Sequence, residues 1–195
     1  MTLHGFHPLS IEERKLLFPL AKKERREIAC KVFKLKEGDV FEGEVEFIDV
    51  SNSTKTSALS VHKNALSHFH AIILHTNKPE ETIARYCWLT NQSSPRRIFG
   101  SSWQVGLDQQ KIIVCSEEDV ERIVPSADVS NLPSILGYAL LTESLSKTKD
   151  CFSHNELALQ SLNRGSFLVK LPEFISGNLI IGTSAADFPW NGGFN

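Results

Sequence analysis

Hydrophobic and polar residues alternate along much of the chain, most regularly over residues 40–50. Apolar side chains fall on one face and glutamates on the other: Phe41, Val45 and Phe47 against Glu42, Glu44 and Glu46. This period of two is typical of a half-buried β-strand. Residues 31–35 precede it across a turn at residues 36–39, so the pattern predicts a hairpin in which lysines face glutamates.

Further short apolar segments are separated by turn-rich stretches. They predict strands at residues 58–62, 71–75, 82–90, 98–107, 112–115, 167–171 and 179–181. Many short strands of this kind are typical of β-sandwiches and barrels. We therefore expect a β-rich protein, mainly β or α+β, with an antiparallel β-sandwich or jelly-roll-like core and more strand than helix. No internal sequence repeat is visible.

The N-terminal residues carry a helix-start signal. Ser10 and Glu13 match the capping-box pattern, which predicts a helix that opens at Ile11. Pro19 interrupts it, and residues 20–28 predict a second, very basic helical stretch. The start of the chain should therefore be helical and basic.

The length of the chain, 195 residues, fits one domain with an appendage. We expect a helical, basic segment over residues 1–30 and a single β-rich domain over residues 31–195 with one or two late helices. A capping box at Ser153 predicts a helix over residues 154–164. Residues 131–145 fit either a further helix or a buried strand.

The C-terminal stretch, residues 187–194, holds three aromatic residues among proline, glycine and asparagine: Phe188, Trp190 and Phe194. Regular structure is not expected there. Aromatic side chains favour burial, so this stretch should dock on the body of the protein or on a partner.

Composition narrows the setting. The formal net charge is only −2, no apolar run is long enough to cross a bilayer, and the first residues lack a secretory apolar region. No CxxC pair occurs among the four cysteines, which are Cys30, Cys87, Cys115 and Cys151. We therefore expect reduced thiols, no transmembrane segment and an intracellular location, in the cytoplasm or nucleus.

Basic residues are concentrated in two places and define the candidate nucleic-acid contacts: Lys22, Lys23, Arg25, Arg26, Arg96 and Arg97. Lysine and arginine neutralise phosphates, and nearby aromatic residues such as Trp88 or Trp103 can stack on bases. A solvated, charged helix face explains the first four equally well, and Trp103 also fits a core position.

Histidines form the candidate metal site. His68 and His70 have the spacing that places two imidazoles on one face of a strand, where they can bind zinc. A third ligand is missing nearby, since no carboxylate lies between His62 and Glu80. Both histidines are therefore expected to behave as surface residues.

Nucleophilic catalysis has one candidate, Cys87 paired with His75, although an inert buried thiol is an equally simple reading. The chain has no GxSxG, HExxH, P-loop or GxGxxG motif. We expect no catalytic residue and no cofactor.

The hydrophobic pattern of about 40 residues resembles a known family. The segments that carry it are residues 69–75, 80–82, 86–89 and 97–108. They resemble the core strands of the thirty-kilodalton superfamily of plant-virus movement proteins. The resemblance implies a β-rich fold related to jelly-roll capsid proteins and a characteristic aspartate after an apolar strand, for which Asp49 and Asp108 are both candidates.

The favoured hypothesis is a non-enzymatic binding and transport protein. Its expected partners are single-stranded nucleic acid, other proteins or further copies of itself. The resemblance would place it in viral transport at host plasmodesmata. The alternatives are a metal-dependent hydrolase that uses His68 and His70, and a matrix-like structural scaffold.

Overall fold

The structure is a computed structural model of the whole chain, and it describes residues 6–7, 9–19, 25–42, 44–49, 63–127, 129, 132–172, 175 and 177–191. The chain divides into an N-terminal unit, residues 1–60, and a C-terminal unit, residues 61–195. This division falls after Ser60, whereas the boundary expected from the sequence lies at residue 30.

The N-terminal unit contains an antiparallel sheet in the order β1 (Glu12–Pro19), β2 (Arg25–Lys34) and β3 (Glu46–Asp49). The predicted pairing is confirmed for residues 31–34 with 46–49, where Lys34 lies opposite Glu46 and their side chains form an ion pair of 2.6 Å. The rest of the predicted strand is wrong, since residues 40–42 and 44–45 are not in a strand, and Phe41 is exposed while Glu42 is buried. On the next register position Phe33 stacks on Phe47, with ring centroids 4.5 Å apart.

The helices predicted from Ile11 and over residues 20–28 are wrong. The described parts of these segments are strands β1 and β2, which pair antiparallel along eight positions from Glu12 to Pro19. Opposite charges meet across that pair, as in the 2.7 Å ion pair between Lys15 and Glu27. Cross-strand pairing outweighs a local helix-start signal here, because single caps contribute only about 1 kcal/mol.

The C-terminal unit contains eight strands and three α-helices among its described residues. In chain order they are β4 (Leu66–His75), α1 (Pro79–Thr90), β5 (Arg96–Phe99), β6 (Ser102–Leu107), β7 (Gln110–Cys115), α2 (Val120–Ile123), β8 (Ser134–Thr142), α3 (Leu145–His154), β9 (Leu159–Ser161), β10 (Phe167–Lys170) and β11 (Asn178–Gly182). Short 3₁₀ helices follow at Ala185–Asp187 and Pro189–Asn191. None of the helices in the described ranges is long and apolar enough to span a membrane.

These strands form one mixed sheet in the order β5-β6-β7-β4-β8-β11-β10-β9. The same connection occurs twice: a strand, a helix and three strands, with the first strand parallel to the fourth (β4 with β7, β8 with β11). The two βαβββ units join through the antiparallel pair β4 and β8. The topology of the unit is therefore repeated, although no internal sequence repeat is visible.

The fold class is confirmed at its coarser level, since the protein is β-rich and strand exceeds helix. The expectation of purely antiparallel pairing is wrong at the two parallel pairs, and the sandwich or jelly-roll arrangement is not confirmed. Predicted strands are confirmed at residues 71–75, 98–107 (two strands joined by a turn), 112–115, 167–171 and 179–181. The strand predicted at residues 58–62 lies outside the described residues.

Two further predictions are wrong. Residues 82–90, which were predicted to form a strand, belong to helix α1, which has Pro79 in its first turn and is followed by Asn91 as a left-handed C-cap. The helix predicted over residues 154–164 is also wrong, because α3 ends at His154 and is capped at its start by Ser144. Residues 134–142 form strand β8, which settles the open choice for that segment.

The two faces of the large sheet are covered differently. Helix α1 packs on β6 and β7, while Leu145 and Phe152 of α3 pack on Phe167, Val169 and Ile181. The opposite face, called face B below, is closed by α2 with Val124 and by the C-terminal stretch, through these buried residues: Val120, Ile123, Val124, Phe188 and Trp190. The docking expected of the C-terminal aromatics is thus confirmed for Phe188 and Trp190, and Phe194 lies outside the described residues.

A buried carboxylate anchors the α2 segment to the sheet. Asp119 Oδ2 accepts hydrogen bonds from Ser102 Oγ at 2.7 Å, Ser116 Oγ at 2.9 Å and the backbone N–H of Ser101 at 3.2 Å. Asp119 also fills the space beside Gly100, whose positive φ of 48° shapes the turn between β5 and β6. The network therefore holds the cover of face B in place.

Replacing Asp119 with alanine should destabilise the protein by about 2–4 kcal/mol, because three buried donors lose their acceptor. Urea unfolding measures the change. Asp150→Ala, at an exposed position of α3, is the control and should stay within about 0.5 kcal/mol of the parent. Equal stability of the two variants would contradict the anchoring role.

Candidate functional site

A cluster of basic and aromatic residues lies on face B, on the half of the sheet formed by the first βαβββ unit. We call it the Lys111 cluster, and its members are His70, Arg96, Gln104, Lys111, Trp190 and Asn191. Gln104 of β6 pairs with Arg96 of β5 and with Ile113 of β7, and Ile113 is part of the face B core. Lys111 lies two positions before Ile113 in the same strand, so Arg96 and Lys111 project onto the same face.

Lys111 is the central cation of the cluster. It is half-buried, and its pKa is lowered by burial and by the charge of Arg96. Its Nζ donates to Asn191 Oδ1 at 3.4 Å, and no carboxylate of the described residues lies within 4.0 Å of it. A partly buried ammonium group without an anion is unfavourable, so an incoming anion would be favoured there.

Small residues flank Lys111 on the two neighbouring strands. Its cross-strand neighbours are Gly106 on one side and Ala71 on the other. A Cβ atom added to Gly106 would meet nothing within 4 Å, and Gly106 is exposed. The space beside the lysine is therefore open to solvent on the Gly106 side, whereas Ala71 on the other side is fully buried.

Arg96 marks the solvent side of the cluster. It is exposed, and it donates from Nε and Nη2 to the side-chain oxygen of Gln104 at 2.9 and 3.0 Å. Gln104 itself is buried, so it fixes the direction of the guanidinium. No ion pair of Arg96 occurs within the part of the chain that the structure describes.

His70 and Trp190 close the inner side of the cluster. The ring of His70 stacks on Phe188 at 4.8 Å between centroids, and Phe188 stacks on Trp190 at 5.2 Å. His70 Nε2 and Trp190 Nε1 are both buried and have no hydrogen-bond partner among the described residues. Burial and the nearby charge of Lys111 lower the pKa of His70, so its imidazole is neutral at pH 7.

The second βαβββ unit carries no equivalent of these cations. Ala71 pairs with Ala139 across the junction of the two units, and Ala139 pairs with Ile180 where Ala71 pairs with Lys111. Ile180 and its neighbour Leu168 are buried apolar residues. The candidate site is therefore confined to one half of a repeated topology.

Two of the six predicted nucleic-acid contacts, Arg96 and Arg97, have side chains that the structure describes. Lys22 and Lys23 lie outside the described residues, and the structure places the backbone of Arg25 and Arg26 in β2 without describing their side chains. Arg97 lies on the opposite face of β5 from Arg96, over the ring of Trp103 at 5.5 Å. Arg96 is therefore part of the Lys111 cluster and Arg97 is not.

The metal site predicted from His68 and His70 is not formed within the described residues. His68 is exposed while His70 is buried, and strand irregularities flank this part of β4. No group of three or more His, Cys, Asp or Glu side chains in the described ranges is arranged to hold a metal. The expectation that both histidines are surface residues is correct for His68 and wrong for His70.

The predicted nucleophile does not find a base. Cys87 lies in helix α1 rather than on a strand beside His75, and burial raises the pKa of its thiol. Cys115, opposite His75 in the register, is fully buried, and burial raises its pKa to about 12. Both nitrogens of the buried His75 lack a hydrogen-bond partner among the described residues, so His75 activates neither of these two thiols.

Lys111 was not predicted to be a functional residue, although the sequence contains a signal for it. Lys111, Ile113 and Cys115 alternate in one strand, so the lysine shares a face with two buried residues. A lysine on the buried face of a strand is unusual, because its charge must be satisfied or functional.

Comparisons with known proteins leave the family open. No family model matches the chain, and no curated protein matches it. Among solved structures, the crystal structure of methylmalonyl-CoA epimerase from Mycobacterium tuberculosis is similar, with a TM-score of 0.45 and 7% sequence identity. The match covers 67% of this chain and 93% of that chain. A likeness at this level carries no argument about activity.

The burial of His70 leads to a contrast between two neighbouring histidines. His70→Ala should cost about 1–3 kcal/mol, because it removes a buried ring stacked on Phe188. The matched variant His68→Ala, at an exposed position, should cost less than about 1 kcal/mol. Urea unfolding of both variants measures this, and similar small losses for both would contradict the stacking.

His75 should make the protein sensitive to acid. Burial lowers the pKa of its imidazole in the folded state, opposed by Glu117, whereas the unfolded chain takes up a proton near pH 6.5. Its neutral form therefore supports full stability above about pH 6.5, and stability declines as the pH falls below that value. His75→Leu should flatten this decline in unfolding free energy measured from pH 7.5 to 5. An unchanged slope in the variant would contradict the assignment.

Proposed function

We propose that the C-terminal unit is a binding module for an anionic ligand, and that Lys111 is the residue that holds the anion. The observation that carries the proposal is the half-buried Lys111, whose ammonium group has only a neutral amide oxygen as a partner among the residues that the structure describes. Keeping such a charge without a carboxylate costs stability. Binding of an anion would offset that cost.

The surroundings support an anion rather than a cation or a neutral ligand. Arg96 adds a second positive charge on the same face, and it repels Lys111. The open space beside Gly106 gives a ligand access to Lys111 from solvent. The two groups could hold separate oxygens of one carboxylate or phosphate, as charge-assisted hydrogen bonds commonly do.

Two sources could supply such an anion, namely a small organic or inorganic acid and the phosphate backbone of single-stranded RNA. The second source joins this proposal to the hypothesis of a viral movement protein, which requires RNA binding. The fact that Arg96 and Arg97 lie on opposite faces favours a small acid, since a backbone track needs several cations in a row.

Lys111→Met should weaken anion binding by about tenfold or more, because a charged hydrogen bond contributes about 1.5–3 kcal/mol. Isothermal titration with pyrophosphate, benzoate and an oligouridine measures binding and separates the two sources. The control is Lys147→Met, at an exposed position of α3, which should bind like the parent chain. Gly106→Leu should fill the open space beside the lysine and weaken binding while Lys111 is retained.

The Lys111→Met variant should also be more stable than the parent chain. Lys111→Met removes a desolvated charge and its repulsion from Arg96, so the melting temperature should rise by about 2–4 °C. Loss of anion binding together with a higher melting temperature is typical of a residue kept for function. No binding of any of the three anions to the parent chain would overturn the proposal.

A further inference from the structure

The C-terminal stretch covers face B in a way that concerns the ligand. We call residues 184–191 the plug. Its two rings, Phe188 and Trp190, are 0% and 2% exposed and pack in the same core as Ala71, Ile73 and Ile180. Large apolar residues of the plug therefore lie on the sheet surface that also carries Lys111.

The plug is held to the sheet mainly by these rings. Its backbone hydrogen bonds are internal, from Asp187 to Ser184, from Phe188 to Ala185 and from Asn191 to Phe188. Among the described residues, one hydrogen bond joins it to the sheet, from Lys111 Nζ to Asn191 Oδ1 at 3.4 Å. A segment without ladder hydrogen bonds can open without disrupting the strands beneath it.

The contact between plug and sheet is also incompletely satisfied. His70 Nε2 on the sheet and Trp190 Nε1 on the plug are buried without a partner in the described ranges. Water would satisfy both groups if the plug were displaced. Their burial therefore lowers the free-energy difference between the closed and open arrangements.

The plug presents two kinds of group to face B. Aromatic rings cover the apolar surface, and the amide oxygen of Asn191 is the acceptor for Lys111. A molecule with an aromatic body and an acidic group would make the same two contacts, with a charged oxygen in place of the neutral amide. Its hydrogen bond to Lys111 would be the stronger one.

We propose that the plug is a displaceable occupant of the ligand site, and that the ligand is an amphipathic organic acid with an apolar, preferably aromatic, body. The acidic group binds Lys111 and the apolar body takes the place of the Phe188 and Trp190 rings. This inference rests on the anion binding proposed for Lys111, and it adds the ligand class and the competition with the plug.

The test uses the full chain and the fluorescent probe 1-anilinonaphthalene-8-sulfonate, an aromatic anion. Asn191→Ala removes the hydrogen bond to Lys111, together with the 2.6 Å bond from Asn191 Nδ2 to the Ala185 carbonyl inside the plug, and keeps both rings, so the fold should be retained. The variant should bind one probe about two- to tenfold more tightly than the parent chain. Lys147→Met is the control and should bind like the parent. Adding Lys111→Met to Asn191→Ala should abolish the gain.

Hydrogen exchange gives a second readout that needs no variant. The backbone amides of Phe188 and Asn191 should exchange faster than those of Ile180 and Ile181 in the sheet. Bound probe should accelerate exchange at Phe188 and Asn191 further, because it displaces the plug. Protection of the plug amides by the probe would overturn the displacement.

The outcomes separate this inference from the anion site. If Lys111→Met weakens probe binding but Asn191→Ala binds no more tightly and the plug exchanges as slowly as the sheet, the anion site stands and the plug is a fixed part of the core. If Asn191→Ala binds the probe more tightly and Lys111→Met does not reverse the gain, the probe reports exposed core, and this inference is overturned.

Discussion

The antiparallel pairing of β4 with β8 determines the architecture of the C-terminal unit. It joins two βαβββ units edge to edge, so that one continuous sheet has two large faces instead of two small ones. Helices α1 and α3 cover one face, and face B needs its own cover. Because a sheet face lined by alanine, isoleucine and leucine cannot remain exposed, the segments after β7 and β11 fold back onto it.

The two halves of face B differ in chemistry although their topology is the same. The register places Lys111 in one half where Ile180 lies in the other, with the alanine pair Ala71 and Ala139 between them. The apolar half is closed by apolar packing, whereas the basic half has two buried nitrogens without a partner in the described ranges and a lysine whose pKa is lowered by burial. A ligand would gain the most binding free energy in the basic half, where it can satisfy polar groups that the protein leaves unsatisfied.

Sequence reasoning identified what depends on local pattern and missed what depends on pairing. Residues 31–34 and 46–49 pair as predicted, because alternation and charge agree along these parts of both strands. Ser10 misled because its capping signal is weaker than the eight-position pairing of β1 with β2. The lysine at position 111 drew no attention, since its meaning depends on Gly106, Ala71 and Arg96, which come next to it only in the folded sheet. No local pattern encodes those neighbours.

We propose that Lys111 is a desolvated cation that binds an anion. Its ionisation can be followed directly by NMR, through the side-chain carbon next to the ammonium group, as the pH is raised with and without benzoate. We expect a pKa below the usual lysine value in the free protein, and a higher pKa when the anion is bound. An ordinary lysine pKa that does not respond to the anion would contradict this proposal.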